Sequence, residues 1–242
     1  MFFMKSTFIG IMQPYFFTYL GYFSLIKHTD IFILLDEVQF IRHGWIERNR
    51  ILKEKDGWVY IKAPLKKEGR STLIKDCLLD NTIPWREKIL SQCQFYKKIA
   101  PNYKEVMDLM NGIFLQDFNC ITSLNKHVLT EICRYIGIEC EFHVFSEMNL
   151  NIQQPEAADE WGLNICQVMG SNITYVNPIG GMAFMDRKKY AEQGVDLYFH
   201  QLNLESYKQG YRDFEPGLSI LDVLMFNSTD SIHSMLDHYE LV

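Results

Sequence analysis

Residues 7–35 decide the fold, and they read TFIGIMQPYFFTYLGYFSLIKHTDIFILL. The opening run, Thr7–Met12, is apolar on both faces, as a strand buried in a parallel sheet is, and Gln13-Pro14 ends it. Helical spacing then relates Tyr19, Tyr22, Phe23 and Ile26. A second unbroken apolar run follows at Ile31–Leu35. The stretch therefore predicts a β-α-β unit whose two strands lie parallel and close together, joined by a right-handed crossover.

Further strand and helix patterns follow this unit. A polar and aromatic stretch covers residues 37–57, and residues 58–62 and 142–145 have the character of strands. Between these two strands, Pro84 and Pro101 open helical patterns and Gly137 ends a third. This predicts a helical insert at about residues 82–137.

The C-terminal third repeats the design of the first unit. It carries helical patterns at 157–169, 183–193 and 218–226, and strand patterns at 173–176 and 195–199. Alternating strands and helices favour a parallel sheet. We therefore expect an α/β fold, a mostly parallel Rossmann-like sheet with a helical insert, forming one domain over residues 1–242.

Composition narrows the class of protein. Hydrophobic residues make up 48% and charged residues 22% of the 242 residues, which is typical of a globular fold. Acidic residues outnumber basic ones by 30 to 24, and the net charge of −6 argues against binding to duplex nucleic acid. Residues 6–26 carry no charge and are long enough to span a bilayer, but Pro14, Gly10 and Gly21 interrupt them. A strand, a turn and a helix of a soluble protein explain the run better, so no membrane span is expected.

The cysteines and histidines argue against a dedicated metal site. None of the six cysteines has C-x-x-C spacing, and no H-E-x-x-H or related ligand spacing occurs. Most of the cysteines lie among apolar residues, as small core residues do, so we expect a reducing, cytoplasmic location.

Polar residues follow several of the predicted strands, where an open parallel sheet binds its ligands. They are Gln13 with Tyr15, Asp36 with Gln39, Asn177 with Gly180-Gly181, and His200-Gln201. We expect these side chains to converge in one crevice. Asp36 and Glu37 are not a ready catalytic pair, because neighbouring side chains of a strand point to opposite faces.

Each of these groups has a chemical and a structural interpretation. Asp36 is either a general base or ligand anchor, or an acid that caps a turn. Gly180-Gly181 either offers backbone amides to an anion or makes a tight turn.

The first of two basic clusters also has two interpretations. The segment Arg48-Asn49-Arg50 with Trp45 suits a phosphate-bearing ligand, since arginine binds phosphate and tryptophan stacks on a base or sugar, or else it is a solvated loop. A second basic loop carries Lys66, Lys67 and Arg70.

Three segments resemble the WbqC-like family. They are Ile11–Phe23 (IMQPYFFTYLGYF), Asp36–Phe40 (DEVQF) and Trp45–Ile51 (WIERNRI). The C-terminal part agrees at Tyr175, Gly180-Gly181, Phe214, Leu218–Asp222 and Asn227, so the similarity covers nearly the whole chain. The sequence departs from the usual family pattern at Thr18, Glu37 and Glu47, and the two glutamates are therefore left out of the candidate residues.

The resemblance implies a role in bacterial surface-polysaccharide (O-antigen) biosynthesis. It implies an acyl or aminoacyl (glycine) transferase that modifies the amine of a nucleotide-linked amino sugar. Asp36 or His43 would then be the base, and Gln13 or the Gly180-Gly181 amides would stabilise the oxyanion. The substrate-binding set is Tyr15, Gln39, Trp45, Arg48, Asn49, Arg50, Gly180, Gly181 and Gln201, with both arginines on the diphosphate and Trp45 on the base.

Several alternatives stay open. The acyl donor is an aminoacyl-tRNA, a carrier-bound thioester, or a free amino acid used with ATP. The protein is otherwise a sugar-nucleotide-dependent glycosyltransferase, against which the lack of a D-x-D motif counts, or a non-catalytic sugar-nucleotide-binding protein of the same pathway.

Overall fold

The computed structural model describes residues 6–67, 69, 71–211 and 213–242. Its strands are β1 (Thr7–Met12), β2 (Ile31–Leu34), β3 (Arg48–Leu52), β4 (Trp58–Lys62), β5 (Glu141–Val144), β6 (Ile173–Pro178), β7 (Asp196–Leu202) and β8 (Tyr239–Leu241). Its α-helices are α1 (Leu20–Lys27), α2 (Trp85–Gln92), α3 (Tyr103–Phe114), α4 (Ile121–Ile136), α5 (Glu160–Met169), α6 (Arg187–Glu192), α7 (Ile220–Phe226) and α8 (Thr229–Asp237). The predicted Arg70 lies outside the described residues. No helix in the described part of the chain is long and apolar enough to cross a membrane.

Six strands form the central sheet in the order β5-β2-β1-β6-β7-β8. All neighbours are parallel except β8, which runs antiparallel to β7. The predicted α/β fold with a mostly parallel sheet is thus confirmed, and so is the pairing of β1 with β2, where Ile9 lies opposite Ile31.

The strand order creates a switch point in the middle of the sheet. From β1 the chain first moves outward on one side, through β2 to β5, and then returns to build β6 and β7 on the other side. In doubly wound sheets a crevice opens where the order reverses, at the carboxyl ends of the two central strands. Here that place lies between the end of β1 and the end of β6.

Strands β3 and β4 form a separate antiparallel hairpin. The sequence predicts a polar stretch without a strand over residues 37–57. The structure corrects this, because Arg48–Leu52 of that stretch form β3. Polar Asn49 is 4% exposed there, and Ile51 and Leu52 are buried beside it. The stretch is polar by composition, but pairing with β4 and burial of these side chains make it a strand.

Helices α2, α3 and α4 lie within the predicted insert and pack on the segment that follows β1. Phe17 is fully buried and meets Phe16 and Phe114 edge to face, with ring centroids 4.8 and 6.0 Å away. Asn125 of α4 is also fully buried, and its Nδ2 donates to the carbonyl oxygens of Pro14 at 2.8 Å and Ile46 at 2.9 Å. The helical layer therefore fixes the chain where it leaves β1 and where it enters β3.

The predicted helix at 183–193 is shorter in the structure. A 3₁₀ turn covers Ile179–Ala183, and α6 begins only at Arg187. The Asp186 side chain accepts a hydrogen bond from the Lys188 amide at 2.9 Å, and this cap sets the start of the helix.

Candidate functional site

Two cavities lie side by side at the switch point. The first, here the His200 cavity, has a volume of about 450 Å³, and the second, the Gln13 cavity, has about 460 Å³. Both are lined by Met12 and Pro178, which end β1 and β6, and by Tyr15. Each volume is within the range of small-molecule sites.

Hydrogen bonds between the segment after β1 and the residues around the start of β3 hold one wall of the His200 cavity. The Phe16 amide donates to the Trp45 carbonyl at 2.9 Å, and Asn49 Nδ2 donates to the Phe16 carbonyl at 3.1 Å. Trp45 and Asn49 thereby come to line the cavity with Thr18. Thr18 is fully buried, and its Oγ1 has no hydrogen-bond partner among the described residues. This hydroxyl is a polar group that a ligand can satisfy.

The tautomer of His200 follows from its neighbours. The Ser24 hydroxyl donates to the Leu236 carbonyl at 2.6 Å, so its single proton is committed. His200 Nε2 lies 2.9 Å from the same Ser24 oxygen and must therefore be the donor. Nδ1 is left as the acceptor of a ring that lines the cavity.

Burial keeps this imidazole neutral. His200 is 3% exposed, and its ring stacks on Tyr239 with centroids 4.6 Å apart. Burial first, and the nearby His28 second, lower the pKa of His200 to about 4. At neutral pH the ring is thus an uncharged acceptor.

Uncharged amides dominate the polar lining of the Gln13 cavity. They are the side chains of Gln13, Gln39 and Asn177. The Tyr175 hydroxyl donates to Asn177 Oδ1 at 2.9 Å and so fixes that amide. Gly181 permits this arrangement, because a Cβ there would lie 1.9 Å from Asn177 Nδ2. Amides that both donate and accept suit sugar hydroxyls or a carbonyl group.

Arg50 lies behind the wall of the His200 cavity. Its guanidinium sits 5.5 Å from the Trp45 ring centroid and 5.1 Å from that of Trp58, and Nη2 donates to the Gly217 carbonyl at 3.0 Å. Trp45 and Gly217 both line the cavity. Arg50 therefore supports its rim with a positive charge.

Arg48 instead holds the loop before β3. Its guanidinium lies 4.0 Å from the Tyr60 ring centroid and donates to the carbonyls of Gly44 and His43. It lines neither cavity.

Asp36 is engaged in the scaffold. Both carboxylate oxygens accept hydrogen bonds from Ser146, one from the amide at 3.0 Å and one from the hydroxyl at 2.7 Å. Asp36 is 1% exposed, and burial raises the pKa of its carboxyl. It lines neither cavity, although Leu35 before it lines the Gln13 cavity.

His43 and Gln201 also lie away from the two cavities. His43 lines a third cavity, together with Arg42 and Glu47. Gln201 pairs with Glu240 at the edge of the sheet. Its neighbour His200 takes the cavity side, because side chains alternate along a strand.

The structure thus brings together one part of the predicted set. Gln13, Tyr15, Gln39, Trp45, Asn49, Gly180 and Gly181 line the two cavities. Sequence reasoning places His200 at a strand end but does not choose it as a site residue. The period of two along β7 is the signal that separates it from Gln201, once the cavity face is known.

Fold and cavities together define a Rossmann-like protein with paired small-molecule cavities at the switch point of its sheet. In the described part of the chain, no three His, Cys, Asp or Glu side chains are placed to hold a metal ion. The profile of the WbqC-like protein family matches residues 13–234, and the chain belongs to that family. It is also 30% identical over 225 residues to "Uncharacterized protein Rv1507c" of Mycobacterium tuberculosis, across 90% of this chain and 93% of that protein. No solved structure matches it significantly.

Proposed function

We propose that the protein is an acyl or aminoacyl (glycine) transferase that modifies the amine of a nucleotide-linked amino sugar in bacterial surface-polysaccharide (O-antigen) biosynthesis. The observation that carries this proposal is the pair of adjoining cavities, of which one presents a neutral imidazole acceptor and the other a set of amides. Group transfer needs two substrates held side by side, and the shared wall at Met12, Tyr15 and Pro178 suits that requirement.

His200 is the best-placed proton acceptor for this reaction. The sugar amine attacks the carbonyl carbon of the activated acyl donor, a C–N bond forms, and the bond to the leaving group breaks. The nitrogen sheds a proton as it attacks; Nδ1 of His200 takes it and returns it to the leaving group. Its low pKa keeps the ring unprotonated, and the attacking nitrogen becomes strongly acidic as the bond forms, so a weak base suffices.

The Gln13 cavity would hold the acyl group and its developing oxyanion. A carbonyl oxygen gains negative charge in the transition state, and a fixed amide N–H stabilises it. Gln13 directly follows β1 and lines the cavity. On the neighbouring strand β6, Asn177 also lines the cavity and is held by Tyr175. This arrangement supports Gln13 as an oxyanion donor.

The rim at Trp45 would receive the nucleotide. Its ring lines the His200 cavity, and the Arg50 guanidinium behind it adds positive charge. An aromatic face suits a base, and a nearby guanidinium attracts a diphosphate. We assign Asp36 and Arg48 supporting roles, because their polar atoms bind the protein itself.

The glycosyltransferase alternative gains nothing from the geometry. Such an enzyme would use a carboxylate to activate a hydroxyl or hold a metal. Among the described residues, no Asp or Glu lines either cavity. The non-catalytic alternative is separated from the transferase by turnover alone.

The deciding experiment measures the mass of the sugar nucleotide before and after incubation. The protein is incubated with a nucleotide-linked amino sugar and, in separate arms, glycyl-tRNA, a glycyl thioester, or glycine with ATP. The proposal expects a gain of one glycyl group on the sugar nucleotide, lost in His200→Gln and retained in Lys97→Met, an exposed surface control. Release of a free nucleoside diphosphate, without the addition of an acyl group to the sugar, would favour glycosyl transfer. Binding without any turnover would favour the non-catalytic alternative.

A further inference from the structure

A third cavity is lined by a buried carboxylate, one oxygen of which has no hydrogen-bond partner among the described residues. This Glu47 cavity has a volume of about 220 Å³ and lies beside the β3–β4 hairpin. Glu47 is 3% exposed, and Oε2 has no hydrogen-bond partner among the described residues. A buried carboxylate is costly unless a donor or a cation satisfies it. The cavity therefore favours a ligand that is positively charged or carries an N–H donor.

The remaining charge on the cavity wall has the opposite sign. Lys62, Lys66 and Lys67 line it together with Arg42 and His43. Because Glu47 Oε2 has no hydrogen-bond partner among the described residues, none of these lysines bonds that oxygen, and groups of both signs line the same space. A simple cation would be repelled by the lysines, and a simple anion by the buried carboxylate.

We infer that the Glu47 cavity binds a small zwitterion, a molecule that carries a primary ammonium next to an anionic group. The ammonium would donate to the Glu47 carboxylate, and the anionic group would lie against the lysines. Only a ligand with both charges satisfies both walls. The volume suits a free amino acid or an amino-alcohol phosphate, which share this chemistry.

This cavity is separate from the two that carry the proposed transfer. Segment 39–47 divides them, since Gln39 and Ile41 line the Gln13 cavity and Trp45 the His200 cavity, while Arg42 and Glu47 line the third. The inference stands on its own charges and does not depend on the proposed function.

Calorimetric titration of the full chain tests it with probes of defined charge. L-alanine is the amino-acid probe and O-phosphoethanolamine the phosphate probe. N-acetyl-L-alanine lacks the ammonium, L-alaninamide lacks the carboxylate, and inorganic phosphate lacks the ammonium. We expect saturable binding of at least one zwitterion and weaker binding of every charge-blocked compound; which zwitterion binds identifies the anionic group.

The variant Glu47→Gln removes the charge but keeps the shape. It is expected to weaken zwitterion binding by about tenfold or more. Glu87→Gln makes the same change on an exposed face of α2 and should leave binding unchanged. The inference is overturned if neither zwitterion binds in the millimolar range, if a charge-blocked probe binds as well, or if Glu47→Gln binds equally. The probe series on the native chain decides the matter even if Glu47→Gln fails to fold.

Discussion

Acidification should destabilise this protein through His200. The ring is buried against Tyr239 and donates to Ser24, and its pKa is lowered from 6.5 to about 4. The unfolded chain binds a proton below about pH 6.5, while the folded protein resists doing so until about pH 4. Protonation therefore favours unfolding, and the stability that the neutral ring supplies above pH 6.5 is lost as the pH falls towards 4.

The linkage relation sets the size of the effect. With these two pKa values, His200 lowers the free energy of unfolding by about 2 kcal/mol between pH 7 and pH 5. Other ionisable groups lie close by: the His28 ring centroid is 6.1 Å from that of His200, and Asp237 pairs with both His28 and Lys27. A comparison with a variant that lacks only the His200 titration isolates its share.

His200→Gln provides that comparison, because its amide can still donate towards Ser24. Urea denaturation of both proteins at pH 7, 6 and 5 gives the difference in unfolding free energy at each pH. We expect the native protein to lose about 2 kcal/mol more than the variant between pH 7 and 5. A difference between the two proteins that does not change with pH would refute the assignment of a buried, neutral His200.

Three further predictions concern stability. The Asp222 carboxylate accepts from the hydroxyls of Tyr96 and Tyr207 and from Gln209 Nε2 at 2.6, 2.7 and 2.8 Å. Asp222→Ala should lower the free energy of unfolding by about 3 kcal/mol or more in urea denaturation, because it leaves buried donors without an acceptor. A loss below about 1 kcal/mol would contradict this. Gly162→Ala should cost about 1–3 kcal/mol, since its Cβ would lie 2.4 Å from the Tyr175 ring. Its matched control in α3, Gly112→Ala, has no atom within 4 Å and should stabilise by about 0.5–1 kcal/mol; equal thermal midpoints for the two variants would count against the packing. Asp36→Asn should lose about 1–3 kcal/mol of stability, because only one Ser146 donor keeps its acceptor. The folded variant should keep its affinity for the nucleotide-linked amino sugar in calorimetry. A loss of that affinity without a loss of stability would return Asp36 to the site.

Local sequence patterns were enough to predict the central part of the fold. The apolar runs at Thr7–Met12 and Ile31–Leu35 have few ways to be buried other than as parallel strands, and the helix between them brings them together. The hairpin strand at Arg48–Leu52 was not predicted, because its burial depends on distant elements. It pairs with β4, and Asn125 of α4 donates a hydrogen bond to the Ile46 carbonyl just before the strand.

The site divides in the same way. The sequence by itself determined the fold class and placed Gln13, Tyr15 and Gly180-Gly181 near strand ends, since a strand's carboxyl end is a local property. Only the tertiary structure decided which polar side chains face a cavity. Asp36 is bound by Ser146, which lies 110 residues further along the chain, and Ser24 fixes the tautomer of His200 from 176 residues away. Hydrogen bonds between such distant residues depend on how the elements pack, and no local pattern carries that information.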